Sequence, residues 1–181
     1  SMTKHKLGWV GAGGRMGFAM AKRLLAAGHE VSVYNRTRSK VEPLAALGAK
    51  IVDSPRALRG HDIVFTTVSA SDDLIAVCTG PDRLLDKSGS PKLIIDCSSV
   101  SEEASAQVRE AAAKLGTEML AAPVSGNAKV VEAGKLTIVA SGPRKSFDMA
   151  QPYLQALGVG VTYVGEGELA RARGRVPQEL P

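Results

Sequence analysis

A doubly wound α/β fold on a mainly parallel sheet is predicted by three features of the 181-residue sequence. Short apolar runs alternate with stretches of helical periodicity, the first run ends in a glycine cluster that opens a helix, and the length suits a single core. After the polar lead Thr3-Lys4-His5-Lys6, Leu7-Gly8-Trp9-Val10 reads as a buried parallel strand feeding a turn. From Gly14 to Ala27 the residues Met16, Met20, Ala21, Leu24 and Leu25 fall at helical spacing, and Gly28 supplies the stop. His29 and Glu30 lead into a second strand, Val31-Ser32-Val33-Tyr34. The pattern returns as a strand over 49–52, a helix opened by Ser54-Pro55, and a strand over 62–68. Further strands are expected over 93–95, 118–121 and 136–139, with helices over 102–115 and 144–157. One domain is expected over 4–165, followed by a short tail over 166–181.

Composition narrows the functions. Apolar residues make up 44% of the chain, as in a globular protein, and only 4% are aromatic, too few for the stacking platforms that bind single-stranded nucleic acid. The formal charge of +5 is scattered, apart from the run Asn35-Arg36-Thr37-Arg38-Ser39-Lys40 and the tail residues Arg171, Arg173 and Arg175. A small phosphorylated ligand, not a nucleic acid, is therefore the expected partner. No stretch approaches the roughly 20 apolar residues of a membrane span. Cys78 and Cys97 lie far apart, no metal-ligand spacing occurs, and no apolar signal core precedes the first strand, so a cytoplasmic protein with free thiols and no metal is expected. Ser1 ahead of Met2 looks like the remnant of a removed tag.

Between the first strand and the first helix stands Gly11-Ala12-Gly13-Gly14-Arg15-Met16-Gly17. Glycines there let the backbone approach a pyrophosphate, whose charge is favoured by the helix N-terminal amides and dipole. Gly11, Ala12, Gly13, Gly14, Arg15 and Met16 thus form a candidate phosphate cradle, in a Rossmann-type arrangement. The spacing from Gly11 is GxGxxxG, one residue longer than GxGxxG, and either register leaves Gly17 for helix–strand packing. A tight structural turn is the plainer alternative.

The end of the second strand bears on the cofactor. An acidic residue there would bond the adenosine ribose hydroxyls and repel a 2′-phosphate. The sequence instead has Asn35, Arg36 and Thr37, and Arg36 can hold a phosphate bidentately, with Thr37, Arg38 and Lys40 as nearby donors. NADP is the expected cofactor and NAD the alternative; a solvated basic helix start is the plainer reading of the same residues.

The segments 11–22, Gly28-His29-Glu30-Val31 and Tyr34-Asn35-Arg36-Thr37 resemble the β-hydroxyacid dehydrogenase family, which includes 3-hydroxyisobutyrate dehydrogenases and glyoxylate or succinic semialdehyde reductases and shares the cofactor domain of 6-phosphogluconate dehydrogenase. Asp96-Cys97-Ser98-Ser99 is similar to the family's D-x-S-T element. Ala122-Pro123-Val124-Ser125-Gly126-Asn127 is similar to its A-P-V-S-G-G element, with Gly134-Lys135-Leu136-Thr137-Ile138 following. The resemblance implies that Val68 and Ser69 line the nicotinamide ribose region, that Ser99 approaches the cofactor, and that Ser125, Gly126 and Asn127 hold a substrate carboxylate. Asn127 replaces the second family glycine and Glu102 a usual proline, so the choice of substrate is not carried over. Plainer readings stand beside these: Ser99 with Glu102 as a capping box, Ser125-Gly126 as a turn, His29 as part of a turn, Cys97 as a buried small residue and Asp96 as a strand end tying loop amides.

The family's proton donor is a lysine that follows a G-x-G element, four residues before an asparagine, on a long interdomain helix. Gly165-Glu166-Gly167-Glu168-Leu169-Ala170-Arg171 begins that pattern, but no lysine follows Lys145, and Gly174 and Pro177 interrupt the expected helix. Arg171 carries the lysine's charge, yet a guanidinium is a poor proton shuttle. The catalytic set is therefore expected to be incomplete, without the all-helical C-terminal domain, the tail being a truncated or altered interdomain helix. The expected function is hydride transfer between NAD(P) and a short β-hydroxyacid or its aldehyde or ketone; a non-catalytic nucleotide-binding module and an imine-reductase-like domain are the alternatives. A homodimer is a further expectation, resting on exposure of Leu154, Leu157, Val161 and Val164.

Overall fold

The computed structural model describes residues 4–167 and 170–171. Six parallel strands form the main sheet: β1 (Leu7–Val10), β2 (Val31–Tyr34), β3 (Lys50–Ile51), β4 (Ile63–Thr66), β5 (Leu93–Asp96) and β6 (Glu118–Ala121). Their order is β3-β2-β1-β4-β5-β6, so the chain reverses direction across the sheet between β1 and β4. That crossover leaves a crevice at the carboxyl ends of the two strands, where open α/β sheets bind their ligands.

Alternation along the buried strands explains why helices cover both faces. Leu7, Trp9, Ile63, Phe65, Leu93 and Ile95 point to one side, where α1 (Arg15–Ala26) and α6 (Arg144–Leu157) pack. Val10, Val64, Ile94 and Met119 point to the other, against α3 (Ser71–Thr79) and α4 (Glu102–Ala113). Trp9 and Phe65, both fully buried, stack with ring centroids 4.7 Å apart. Burying side chains of this size contributes roughly 1.5–3 kcal/mol each. The expected stop of α1 is a paired-bond C-cap: Gly28 takes φ +91°, its N–H donates to Leu25 O, and His29 N–H donates to Leu24 O. His29 thus does serve the turn.

Several expectations need correction. The segment opened by Ser54-Pro55 is a single 3-10 turn, Pro55–Leu58, and not a full helix. The strand over 136–139 lies outside the main sheet: β8 (Leu136–Ala140) pairs antiparallel with β7 (Val124–Ser125) and parallel with β9 (Gly158–Tyr163) in a separate three-stranded sheet. Pro123, which has no N–H to give a ladder, stands where the chain leaves β6 for this second sheet. Ser101, not Ser99, caps α4, accepting from Ala104 N–H at 3.1 Å. Leu154 and Leu157, on the inner face of α6, are fully buried and Val161 and Val164 half-buried, which removes the exposed patch on which the expected self-association rested. The short helices α2 (Glu42–Ala45) and α5 (Ala128–Glu132), with a 3-10 turn over Arg38–Lys40, complete the elements among the described residues.

Candidate cofactor site

The loops after β1, β2 and β4 enclose a pocket of about 750 Å³ at the carboxyl edge of the main sheet. Its floor is the glycine turn. Gly11 takes φ +89°, and a Cβ there would fall 1.8 Å from Thr67 O, so only glycine fits. A Cβ on Gly17 would meet both Gly11 O and Thr67 Oγ1 at 2.4 Å, which is the helix–strand packing role expected of it. Thr67 fixes the turn from beneath: its Oγ1 accepts from Trp9 Nε1 at 2.9 Å and donates to Gly11 O at 3.0 Å. Helix α1 begins at Arg15 with Gly14 as N-cap, without a capping side chain and without an acidic residue in its first turn. No side chain therefore caps its leading amides, which suits an anion.

Asn35 joins two walls. Its Oδ1 accepts from Gly13 N–H at 3.1 Å, and its Nδ2 donates to Thr37 O at 2.9 Å, so the side chain holds the glycine turn against the loop that carries Arg36. Arg36, Thr37 and Lys40 line the end of the pocket beyond β2. Arg38, a neighbouring donor expected from sequence, is instead paired with Asp53. On the opposite wall stand Val68, Ser69, Pro81 and two carboxylates, Asp73 and Asp82. These acids and Thr67 carried no sequence signal, because the stretch after β4 lacks a motif and approaches the pocket only through the fold.

Of the sequence-derived candidates, Gly11, Gly13, Gly14, Asn35, Arg36, Thr37, Val68 and Ser69 meet around this one pocket. Ala12 is buried beneath the turn, Met16 packs against the core, and Arg15 is exposed at the start of α1. Ser99 is exposed on the loop after β5, outside the pocket lining. Ser125, at the end of β7, is exposed together with Gly126 and Asn127, which lead into α5, and Asn127 Oδ1 accepts from Val130 N–H at 3.0 Å to cap α5.

A polar network lies under the loops after β4 and β5. Asp96, fully buried, accepts from Thr66 Oγ1 at 2.7 Å and from Ser98 N–H at 3.3 Å. Arg171 Nη2 donates to its other oxygen at 2.6 Å, and Arg171 Nη1 donates to Ser98 O at 3.0 Å. Ser98 Oγ in turn accepts from Val68 N–H at 2.9 Å, reaching the pocket wall. Cys97 and Cys78 are buried and free, and burial, then the charge of Asp96, pushes both thiols up, away from nucleophilic use. Among the described residues there is no cluster of metal-ligating side chains and no helix long and apolar enough to cross a membrane.

Strand order, glycine turn and uncapped α1 define a Rossmann domain for an NAD(P)-type dinucleotide. The chain belongs to the family of the NAD binding domain of 6-phosphogluconate dehydrogenase, whose profile matches residues 6–165. It is 35% identical over 162 residues to a 3-hydroxyisobutyrate dehydrogenase of Pseudomonas aeruginosa, covering 87% of this chain and 54% of that protein. It is 34% identical over 169 residues to the chloroplastic glyoxylate/succinic semialdehyde reductase 2 of Arabidopsis thaliana, covering 91% and 47%. The chain thus spans about half the length of the curated relatives it matches. Among solved structures, it superposes with a TM-score of 0.87 at 26% identity on a Mycobacterium tuberculosis 3-hydroxyisobutyrate dehydrogenase with L-serine, covering 97% of this chain and 59% of that one. An imine reductase of Myxococcus stipitatus with NADP+ gives 0.84 at 28% identity, covering 94% and 59%.

Proposed function

We propose that residues 4–165 form the cofactor domain of an NADP-preferring oxidoreductase of the β-hydroxyacid dehydrogenase type, acting on a short β-hydroxyacid or its aldehyde or ketone. The observation that carries the cofactor preference is the end of β2, where Asn35 replaces an acid and Arg36, Thr37 and Lys40 follow around the pocket. When bound, the dinucleotide supplies or takes up the hydride. The glycine turn and the α1 amides would bind its pyrophosphate, the Arg36 fork would hold the 2′-phosphate, and Val68 and Ser69 would flank the nicotinamide ribose, with Ser99 approaching from the loop after β5. The Ser125 hydroxyl and the Gly126 amide, with Asn127 shaping their turn, receive the substrate carboxylate.

We infer that residues 4–171 do not by themselves supply the proton-transfer step. Arg171 is held by Asp96 and Ser98, and no lysine follows Lys145. The 181-residue chain is therefore expected to bind cofactor while its turnover of succinic semialdehyde, glyoxylate or 3-hydroxyisobutyrate stays near background. Fluorescence titration tests the preference. NADPH should bind roughly tenfold to a hundredfold more tightly than NADH, and Arg36→Ala should remove most of the difference. Equal affinities in the parent chain would refute the NADP reading. Likeness to the NADP+-bound imine reductase supports a second reading, which reduction of a cyclic imine by a chain extended with a C-terminal helical domain would favour.

A further inference from the structure

The acid that NAD-selective sites carry at the end of β2 is absent here, but a carboxylate faces Arg36 from across the pocket. Asp73, in the first turn of α3, places Oδ1 3.7 Å from Arg36 Nη2. The neighbouring charges are otherwise directed: Arg38 pairs with Asp53, and Asp82 lies 3.9 Å from Arg56 Nε. Arg36 and Lys40 are the two basic side chains of the pocket lining, and Arg36 is the one with an acid opposite it. A guanidinium fork recognises carboxylate and phosphate by the same geometry, so the two compete for it.

We propose that Asp73 is a specificity-determining residue that competes with the 2′-phosphate of NADP(H) for Arg36 and so narrows the preference between the two cofactors. This inference rests on the reading that Arg36 holds that phosphate. With NAD(H), the Asp73–Arg36 pair persists, and the carboxylate is the acceptor offered to a ribose hydroxyl. With NADP(H), Arg36 must leave Asp73, and the phosphate must also lie near the carboxylate's negative charge. Arg36 is 85% exposed and Asp73 35%, so the pair is screened and the competition is modest rather than absolute.

The test is a double-mutant cycle on the full chain, reading dissociation constants for NADPH and NADH by fluorescence. Asp73→Asn, which preserves shape, should strengthen NADPH binding about two- to fivefold and leave NADH unchanged or weaker. In the Arg36→Ala background the same substitution should lose most of that gain, and 0.5 M NaCl should shrink it. Asp72→Asn, an exposed carboxylate one residue away and outside the lining, should leave the ratio of the two constants unchanged. The proposal is overturned if Asp73→Asn alters that ratio less than twofold, if Asp72→Asn alters it as much, or if the gain survives Arg36→Ala. The two readings fail separately. A parent that prefers NADPH through Arg36 but ignores Asp73→Asn defeats the competition alone, whereas a parent that binds both cofactors alike and turns to NADPH in Asp73→Asn defeats only the parent preference. Far-UV circular dichroism of each variant secures the comparison.

Discussion

Replacing Arg171 by methionine removes the cation from a buried pair while keeping an unbranched apolar stem. Both side chains are essentially inaccessible, 2% for Arg171 and 0% for Asp96, so solvent screens the pair little. Removing one partner of such a pair typically costs about 3–5 kcal/mol, because the remaining charge stays buried. Two features point to the lower end. Asp96 keeps its bonds from Thr66 Oγ1 and Ser98 N–H, and Arg109, whose affinity for its proton is lowered by burial and then by the charge of Arg171, brings a second cation nearby. A loss of about 3 kcal/mol corresponds, in a chain of this size, to a fall of roughly 6–12 °C in Tm. Thermal unfolding followed by circular dichroism measures it. Adding Asp96→Asn should restore much of the loss by removing the orphaned charge. A Tm for Arg171→Met within about 2 °C of the parent would show that the pair does not hold Ala170 and Arg171 against the sheet.

Thr67→Val keeps shape but leaves the buried Trp9 Nε1–H without its acceptor and Gly11 O without its donor, so urea unfolding should report a loss of about 1–3 kcal/mol together with weaker NADPH binding. A stability change below about 0.5 kcal/mol would contradict that role. His61 lies below its usual range because burial, then Lys6, disfavours the imidazolium, with smaller contributions of both signs from Leu58, Lys50 and Asp62. The unfolded chain therefore takes up the proton first, and the parent should lose stability as pH falls through about 6.5. His61→Gln should lose less between pH 7.5 and 5 in parallel denaturant titrations; equal losses would exclude the effect.

What the sequence displays and what it hides follow from the range of the forces involved. The β1–α1–β2 unit was legible because apolar period, glycine turn and C-cap are all local signals, and Gly28 and Gly17 act where their spacing placed them. The residues of the pocket's first wall, from Gly11 to Thr37, were legible for the same reason. Its second wall was not. Asp73 and Asp82 reach the pocket only because β4 lies beside β1, a relation set by strand order rather than by any neighbour in sequence. The same holds for Asp96, which reads as a strand end tying loop amides and does receive Ser98 N–H, while its partner Arg171 lies 75 residues away. The second sheet escaped because β7 is two residues long and β9 is rich in glycine, too short and too plain for a periodic signal.

The Arg171 contacts also bear on whether this residue could act in place of the family lysine. Its two terminal nitrogens reach Asp96 Oδ2 and Ser98 O from one rigid plane, a geometry suited to holding two acceptors apart and unlike the point charge of an ammonium. To serve a substrate, the guanidinium would have to leave both acceptors and strand a buried carboxylate, at a cost of about 3–5 kcal/mol. General acid–base catalysis typically contributes 10²- to 10⁴-fold, or roughly 2.7–5.5 kcal/mol. Freeing Arg171 would thus consume nearly all that it could return, before the reluctance of a guanidinium to release a proton is considered. Through Ser98, whose Oγ accepts from Val68 N–H, the same contacts brace the pocket wall instead. Arg171 is accordingly read as an anchor between the segment after β9 and the cofactor loops, and substitutions there should register in stability and in binding before they register in chemistry.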